Sequence, residues 1–147
     1  MKKYTSSEMK RFNYLLGETE AAYHDVSLRL GLSDSAMKIL YAICDRGESC
    51  LLQEICRSSG LSKQTVNSAI RKLEGAGILR LEQAGAKSKR VCLTEAGKTL
   101  AGQTALRMIR MENEIFASWP KEDVETYLAL TERFLTNFRE KAAELLK

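Results

Sequence analysis

Apolar residues recur at alternating steps of four and three in two stretches of this chain, one toward each end. The first stretch is Met9, Phe12, Leu16, Thr19, Tyr23, Val26 and Leu30, and the second is Val124, Leu128, Thr131, Leu135, Phe138, Ala142 and Leu145. A mean step of 3.5 residues draws an apolar seam down one side of an α-helix, and such a helix needs a second helix along its length to cover that seam. The pattern predicts a first helix over about 5–30, stopped by Gly31 as a left-handed cap. It also predicts a final helix opened by Pro120, with Glu122, Asp123 and Glu125 near its positive end. Pro120 is the single proline, so little else forbids helix.

Between the seams the period shortens and then changes. Ser33 or Asp34 is placed to cap a helix running to about Arg46, with Met37, Leu40, Tyr41 and Cys44 inward. A short helix over 52–60 turns Leu52, Ile55 and Cys56 inward and is closed by Gly60. Ser62 caps the next, from Lys63 to about Gly75, with Val66, Ala69, Ile70 and Leu73 inward. Leu79 and Leu81 then alternate with Arg80 and Glu82, and Val91 and Leu93 flank Cys92, which is strand periodicity. The small, basic run 83–89 between them reads as a hairpin tip. Thr94 caps a long helix with Leu100, Met108, Met111, Ile115 and Phe116 on its seam, expected to continue to Ser118-Trp119-Pro120.

The fold class expected is therefore mainly α with a small β-hairpin wing. A winged helix-turn-helix domain over 33–98 is joined to a helical dimerisation region formed by 1–32 and 99–147. At 147 residues, 44% of them hydrophobic and 29% charged, the chain suits one soluble globular unit. No apolar run reaches the roughly 20 residues of a membrane helix. The N-terminal run through Ser6 lacks the apolar core of a secretory signal, so a cytoplasmic location is expected. Cys44, Cys50, Cys56 and Cys92 form no close pair, and His24 is the only histidine. Neither a metal site, a cofactor nor a catalytic set is expected, and unreactive thiols are the plain reading.

Charge is distributed unevenly. Residues 57–98 hold nine basic and three acidic side chains, a net +6, leaving −2 for the rest of a chain whose total is +4. A basic centre in a slightly acidic frame fits a module that meets a polyanion. The bland alternative is a solvated face, and charge alone does not decide between them. Ser62, Lys63, Gln64 and Thr65 open the second helix of the pair, where free backbone N–H groups favour phosphate. Gln64, Thr65, Asn67 and Ser68 are short enough to read base edges. Arg71, Lys72 and Lys63 suit phosphate, as do Lys87, Lys89 and Arg90 of the hairpin.

The run Ile55 to Leu79, and Val91-Cys92-Leu93-Thr94-Glu95-Ala96-Gly97 after it, resemble the core and the wing-to-helix junction of the MarR (multiple antibiotic resistance regulator) family. The resemblance implies a homodimeric, sequence-specific regulator of transcription, a repressor on a pseudo-palindromic operator of double-stranded DNA. Its interface would carry Met9, Phe12, Leu16, Val124, Leu128, Leu135, Phe138 and Leu145. It also implies a small, often aromatic effector between the helical frame and the winged domain, with Phe12, Tyr23, His24, Met37 and Tyr41 as candidate lining. Helically spaced aromatics and methionines are more commonly core. Two departures stand out: the tip Gly85-Ala86-Lys87 lacks the Asp-x-Arg pair of many family wings, and Ser68 stands where many members have arginine. The competing reading is a winged helix used for protein interaction without operator binding.

Overall fold

The structure, a computed structural model, describes residues 4–147. Its elements are α1 (Ser7–Arg29), α2 (Asp34–Asp45), β1 (Ser49–Leu51), α3 (Leu52–Ser59), α4 (Lys63–Gly75), β2 (Leu79–Gln83), β3 (Lys89–Leu93), α5 (Glu95–Gln103), α6 (Ala105–Ala117) and α7 (Lys121–Leu145). This is the expected mainly helical winged layout. Hydroxyl side chains open four of the helices: Ser6 accepts from the Met9 N–H, Ser33 from Ala36, Ser62 from Thr65 and Thr94 from Gly97. Each such cap is worth about 1 kcal/mol, because it satisfies a donor that the helix itself leaves unpaired.

The chain divides into two compact units, the first ending at Met108 and the second running from Ile109 to Lys147. In the first, α2 is the central element. Met37, Ile39, Leu40, Ala42 and Ile43 are all buried, more than one stripe of the helix, because α1, α3, α4, α5 and the sheet all pack on it. The sequence reading placed Tyr41 and Cys44 on the inward stripe and left out Ile39 and Ile43; Tyr41 and Cys44 are only half-buried at its margin. Ile55 of α3, Val66 and Ile70 of α4 and Val91 of β3 complete the centre.

The sheet has the order β1-β3-β2, antiparallel throughout. Leu81 pairs with Val91 and Gln83 with Lys89, and the tip is closed by the Ala84 N–H donating to the Ser88 carbonyl at 2.9 Å. Strand β1 was not expected from the sequence: three residues are too few to show a period, and Ser49–Leu51 is extended because it pairs with β3.

The expected uninterrupted helix after Thr94 is instead two helices. Thr104, nearly fully buried, leaves helical geometry at φ −129°, ψ −86°. Its hydroxyl donates to the Leu100 carbonyl at 2.7 Å and its N–H to Ala101, three residues back, in place of the regular four-residue ladder.

The Thr94 hydroxyl also ties the turn that ends α4 to the start of α5. It reaches the carbonyls of Gly77 at 2.6 Å and Ile78 at 3.0 Å, while its own N–H donates to Ile78 at 3.1 Å. Gly97 lies directly against that Ile78 carbonyl, where a β-carbon has no room.

In the second unit, Ser118 and Pro120 mark the turn from α6 to α7. Phe116, Trp119 and Tyr127 pack around it with ring centroids 5.3 to 6.0 Å apart. No residue of α7 is buried, although it is 25 residues long.

Candidate nucleic-acid interface

Helix α4 buries Val66, Ile70 and Leu73, so its 3.6-residue period decides which side chains face out. Gln64, Ser68 and Arg71 lie on the crest opposite the core. Lys63 and Asn67 fall on the flank toward the wing, and Thr65 and Lys72 on the flank toward α2.

The two flanks border different spaces. A groove of about 440 Å³ runs between α4 and the start of α2, and its lining includes Gln64, Thr65, Ser68 and Lys72 with Ser33 and Ser35. An open cleft of about 770 Å³ lies between α4 and the wing, and Lys63, Asn67, Arg71, Lys87 and Lys89 border it. The surface read from sequence as one face is thus a ridge with a channel on each side. Ser33 and Ser35 escaped sequence reasoning because they lie about thirty residues upstream of α4 and carry a capping signature, nothing that points to a ligand.

Several side chains on this surface are partly committed. The Ser62 hydroxyl donates to Thr65 Oγ1 at 2.8 Å and accepts from the Thr65 N–H at 3.2 Å, so both residues organise the first turn of α4. Arg71 Nε reaches back to the Asn67 carbonyl at 3.4 Å, laying the guanidinium along the helix. Arg90 belongs to β3 rather than to the hairpin tip. Strand alternation turns it to the side opposite Lys89, where its Nη1 donates to Ser49 Oγ at 3.3 Å. The basic trio expected at the wing therefore separates into Lys87 and Lys89 at the cleft and Arg90 behind the sheet.

The positive charge sorts in the same way. Arg80 is paired with Glu82 at 2.7 Å, and the hydrogen bond from Arg80 holds the Glu82 carboxyl below its usual range. Lys98 contacts Glu95 at 3.0 Å and Glu48 at 3.1 Å; these hydrogen bonds push its ammonium upward. Lys63, Arg71, Lys72, Lys87 and Lys89 pair with no acid among the described residues, so their charge is presented outward.

Residues 30–90, which hold this ridge and nearly all of the wing, match the profile of the MarR family. Over this segment the chain is similar to the MarR family. No curated protein sequence is similar enough to match the chain. Among solved structures the MarR fold extends well beyond the matched segment. NMB1585, a MarR family regulator from Neisseria meningitidis, is similar with a TM-score of 0.83 at 17% identity, over 95% of this chain and 99% of its own. AbsC, a MarR family transcriptional regulator from Streptomyces coelicolor, gives 0.72 at 16% identity over 95% and 99%. BpsR of Bordetella bronchiseptica, whose DNA binding is regulated by 6-hydroxynicotinic acid, gives 0.63 at 17% over 84% and 98%.

The five positions considered for an effector lie on α1 and α2 of this MarR-type scaffold. Phe12 and His24 are both on α1, about 18 Å apart along its axis at 1.5 Å per residue. His24 Nδ1 lies 2.7 Å from Asp34 Oδ2, which joins the last turns of α1 to the first residue of α2. Tyr23 is exposed on α1, Tyr41 is half-buried, and Met37, 4% exposed, is part of the core.

All four cysteines are free thiols. Burial pushes Cys44 and Cys92 upward, and burial together with the Glu54 carboxylate pushes Cys50 to about 11. Protonated thiols of this kind are poor nucleophiles at neutral pH. Among the described residues no cluster of His, Cys, Asp and Glu could hold a metal, and no helix is long and apolar enough to cross a membrane.

Proposed function

We propose that this chain is a cytoplasmic transcriptional regulator that binds double-stranded DNA as a homodimer, a repressor at a pseudo-palindromic operator. The observation that carries the reading is the outward face of α4: Gln64 and Ser68 on its crest and Asn67 beside them, among cations that have no acidic partner among the described residues. Gln64, Ser68 and Asn67 have the reach and the donor-acceptor pairs to read base edges in a major groove. Lys63, Arg71, Lys72, Lys87 and Lys89 supply the sequence-independent attraction to phosphate. Ser62, Thr65 and Arg90 contribute through the cap and the sheet that hold this surface in place.

Dimerisation through α1 and α7 follows from what those helices expose. Met9, Leu16 and Leu28 on α1, and Leu128, Leu135, Phe138 and Leu145 on α7, are exposed to solvent. A 25-residue helix without a buried residue draws little stability from its own chain, because helices in water depend on packing. A second copy covering these seams supplies that packing and presents two α4 ridges to successive major grooves, about one turn apart. In this assignment residues 33–98 read DNA, and 1–32 with 99–147 hold the dimer. Release by a small aromatic effector is part of the reading, supported by the similarity to BpsR and by the aromatic side chains of α1.

Two measurements test the proposal. The protein should run as a dimer in light scattering, and its affinity for operator fragments selected from the source genome should fall steeply with salt. If all five cations of each protomer neutralise phosphate, the slope of log K against log salt approaches about −9. Absence of duplex binding at low salt, with the fold intact, would instead favour a protein-interaction module.

A further inference from the structure

His24 is the only histidine of the chain, and its Nδ1 lies 2.7 Å from Asp34 Oδ2, where the last turns of α1 meet the first residue of α2. Asp34 in turn stands between Ser33 and Ser35, which line the groove along α4 together with Gln64, Ser68 and Lys72. Neighbouring residues are about 3.8 Å apart, so Asp34 stands within a Debye length, roughly 8 Å at physiological salt, of that groove. The other charges around the pair balance. Glu20, one turn before His24 on α1, opposes Lys38, one turn after Asp34 on α2, and Asp25 is held by Arg29 at 3.1 Å. Lys72 is the charge on the α4 wall of the groove. Both members of the pair are half exposed, and an ion pair so placed adds little to stability. The cap that opens α2 comes from Ser33 and does not need it.

What the pair sets is the charge at the edge of the groove, and that charge changes without movement of either side chain. With its one proton on Nδ1, neutral His24 donates to Asp34 and the pair is negative. A second proton, on Nε2, leaves the hydrogen bond in place and makes the pair neutral. Exchange of this proton between about pH 5 and 8 is what distinguishes histidine from the other side chains. We propose that His24 and Asp34 form a proton switch on duplex binding. Protonation of His24 cancels the carboxylate beside the groove where a phosphate strand runs, and loss of the proton restores a charge that repels the strand. The inference rests on the DNA-binding reading, to which it adds the proton as a regulator of the α4 surface. A dimer carries two such pairs, and two unit charges each ~8 Å from phosphate change duplex affinity about threefold at low salt.

The test measures the affinity of the full chain for one selected operator fragment at pH 8 and at pH 5.5, in the same low salt. Light scattering and circular dichroism at both values follow the oligomer and the fold. Wild type should bind about threefold more tightly at pH 5.5. His24→Gln keeps a hydrogen-bond donor but cannot take the proton, so it should bind at both values as wild type does at pH 8. Asp34→Asn lacks the carboxylate and should bind at pH 8 about as tightly as wild type does at pH 5.5. Linkage is reciprocal, so calorimetry near pH 6.5 in buffers of different ionisation heat should show proton uptake on duplex binding by wild type and none by His24→Gln. Equal wild-type affinity at the two values, or a pH dependence that persists in His24→Gln, overturns the switch. So does a pH effect that follows a change in oligomeric state rather than in charge. Duplex binding that ignores pH strikes this inference alone, whereas no duplex binding at either pH strikes the DNA-binding reading and the inference with it.

Discussion

Replacing Gly97 with alanine should unsettle the link between the end of α4 and α5, while the same change at Gly102, in the same helix as Gly97, should not. A β-carbon at Gly97 meets the Ile78 carbonyl oxygen and lies 3.4 Å from a Leu93 methyl, whereas at Gly102 nothing is within 4 Å. The Ile78 oxygen cannot simply retreat, because it accepts from both the N–H and the hydroxyl of Thr94. Overpacking of this kind costs about 1–3 kcal/mol, and weakening one of those hydrogen bonds about 1 kcal/mol more. Alanine returns up to about 1 kcal/mol through its better helix propensity. The net loss at Gly97 is about 2 kcal/mol, or roughly 4–8 °C in Tm for a chain of this size. Gly102→Ala keeps only the propensity term and should melt at or slightly above wild type. Thermal melts at one fixed protein concentration separate the two, since the proposed dimerisation would make Tm depend on concentration. A Gly97→Ala protein melting at or above wild type would refute the steric argument and the tie through Thr94.

Gln64→Ala or Asn67→Ala should relax preference at one operator base pair by roughly 1–3 kcal/mol, read by binding to single-base operator variants. Unchanged preference would show that the outward face of α4 does not read bases. Leu16→Glu combined with Leu135→Glu places charge on both seams and should give monomeric or poorly folded protein in light scattering and circular dichroism, without operator binding; an intact dimer would reject the interface. The Cys50 pKa is raised by burial from about 9 to about 11, so the folded chain keeps a proton that the unfolded chain releases between those values. Its contribution is fully present below pH 9 and is lost as pH rises toward 11. The urea midpoint of wild type should therefore fall more steeply across that window than that of Cys50→Ala, and parallel curves would contradict the assignment.

Much of the architecture was legible along the chain because its signals are local. Ser33, Ser62 and Thr94 cap their helices through hydrogen bonds to residues three positions on, and the apolar periods of α1, α4 and α7 are properties of single segments. Spacing likewise marked Leu79, Leu81, Val91 and Leu93 as strand. What escaped depends on partners remote in sequence. Strand β1 exists because Ser49–Leu51 finds β3 about forty residues downstream. Ile39 and Ile43 lie off the single stripe read for α2, yet they are buried because elements pack on several sides of that helix. Thr104 reads as an ordinary helical residue until its hydroxyl and N–H take the Leu100 and Ala101 carbonyls.

The candidate site divides along the same line. The identity of the outward residues of α4 followed from helical period and composition alone. Their separation into a crest and two channels, the turning of Arg90 away from Lys89, and the pairing of His24 with Asp34 required the packed structure. A single segment can state which side of itself is polar, but only the elements packed against it determine what that side faces.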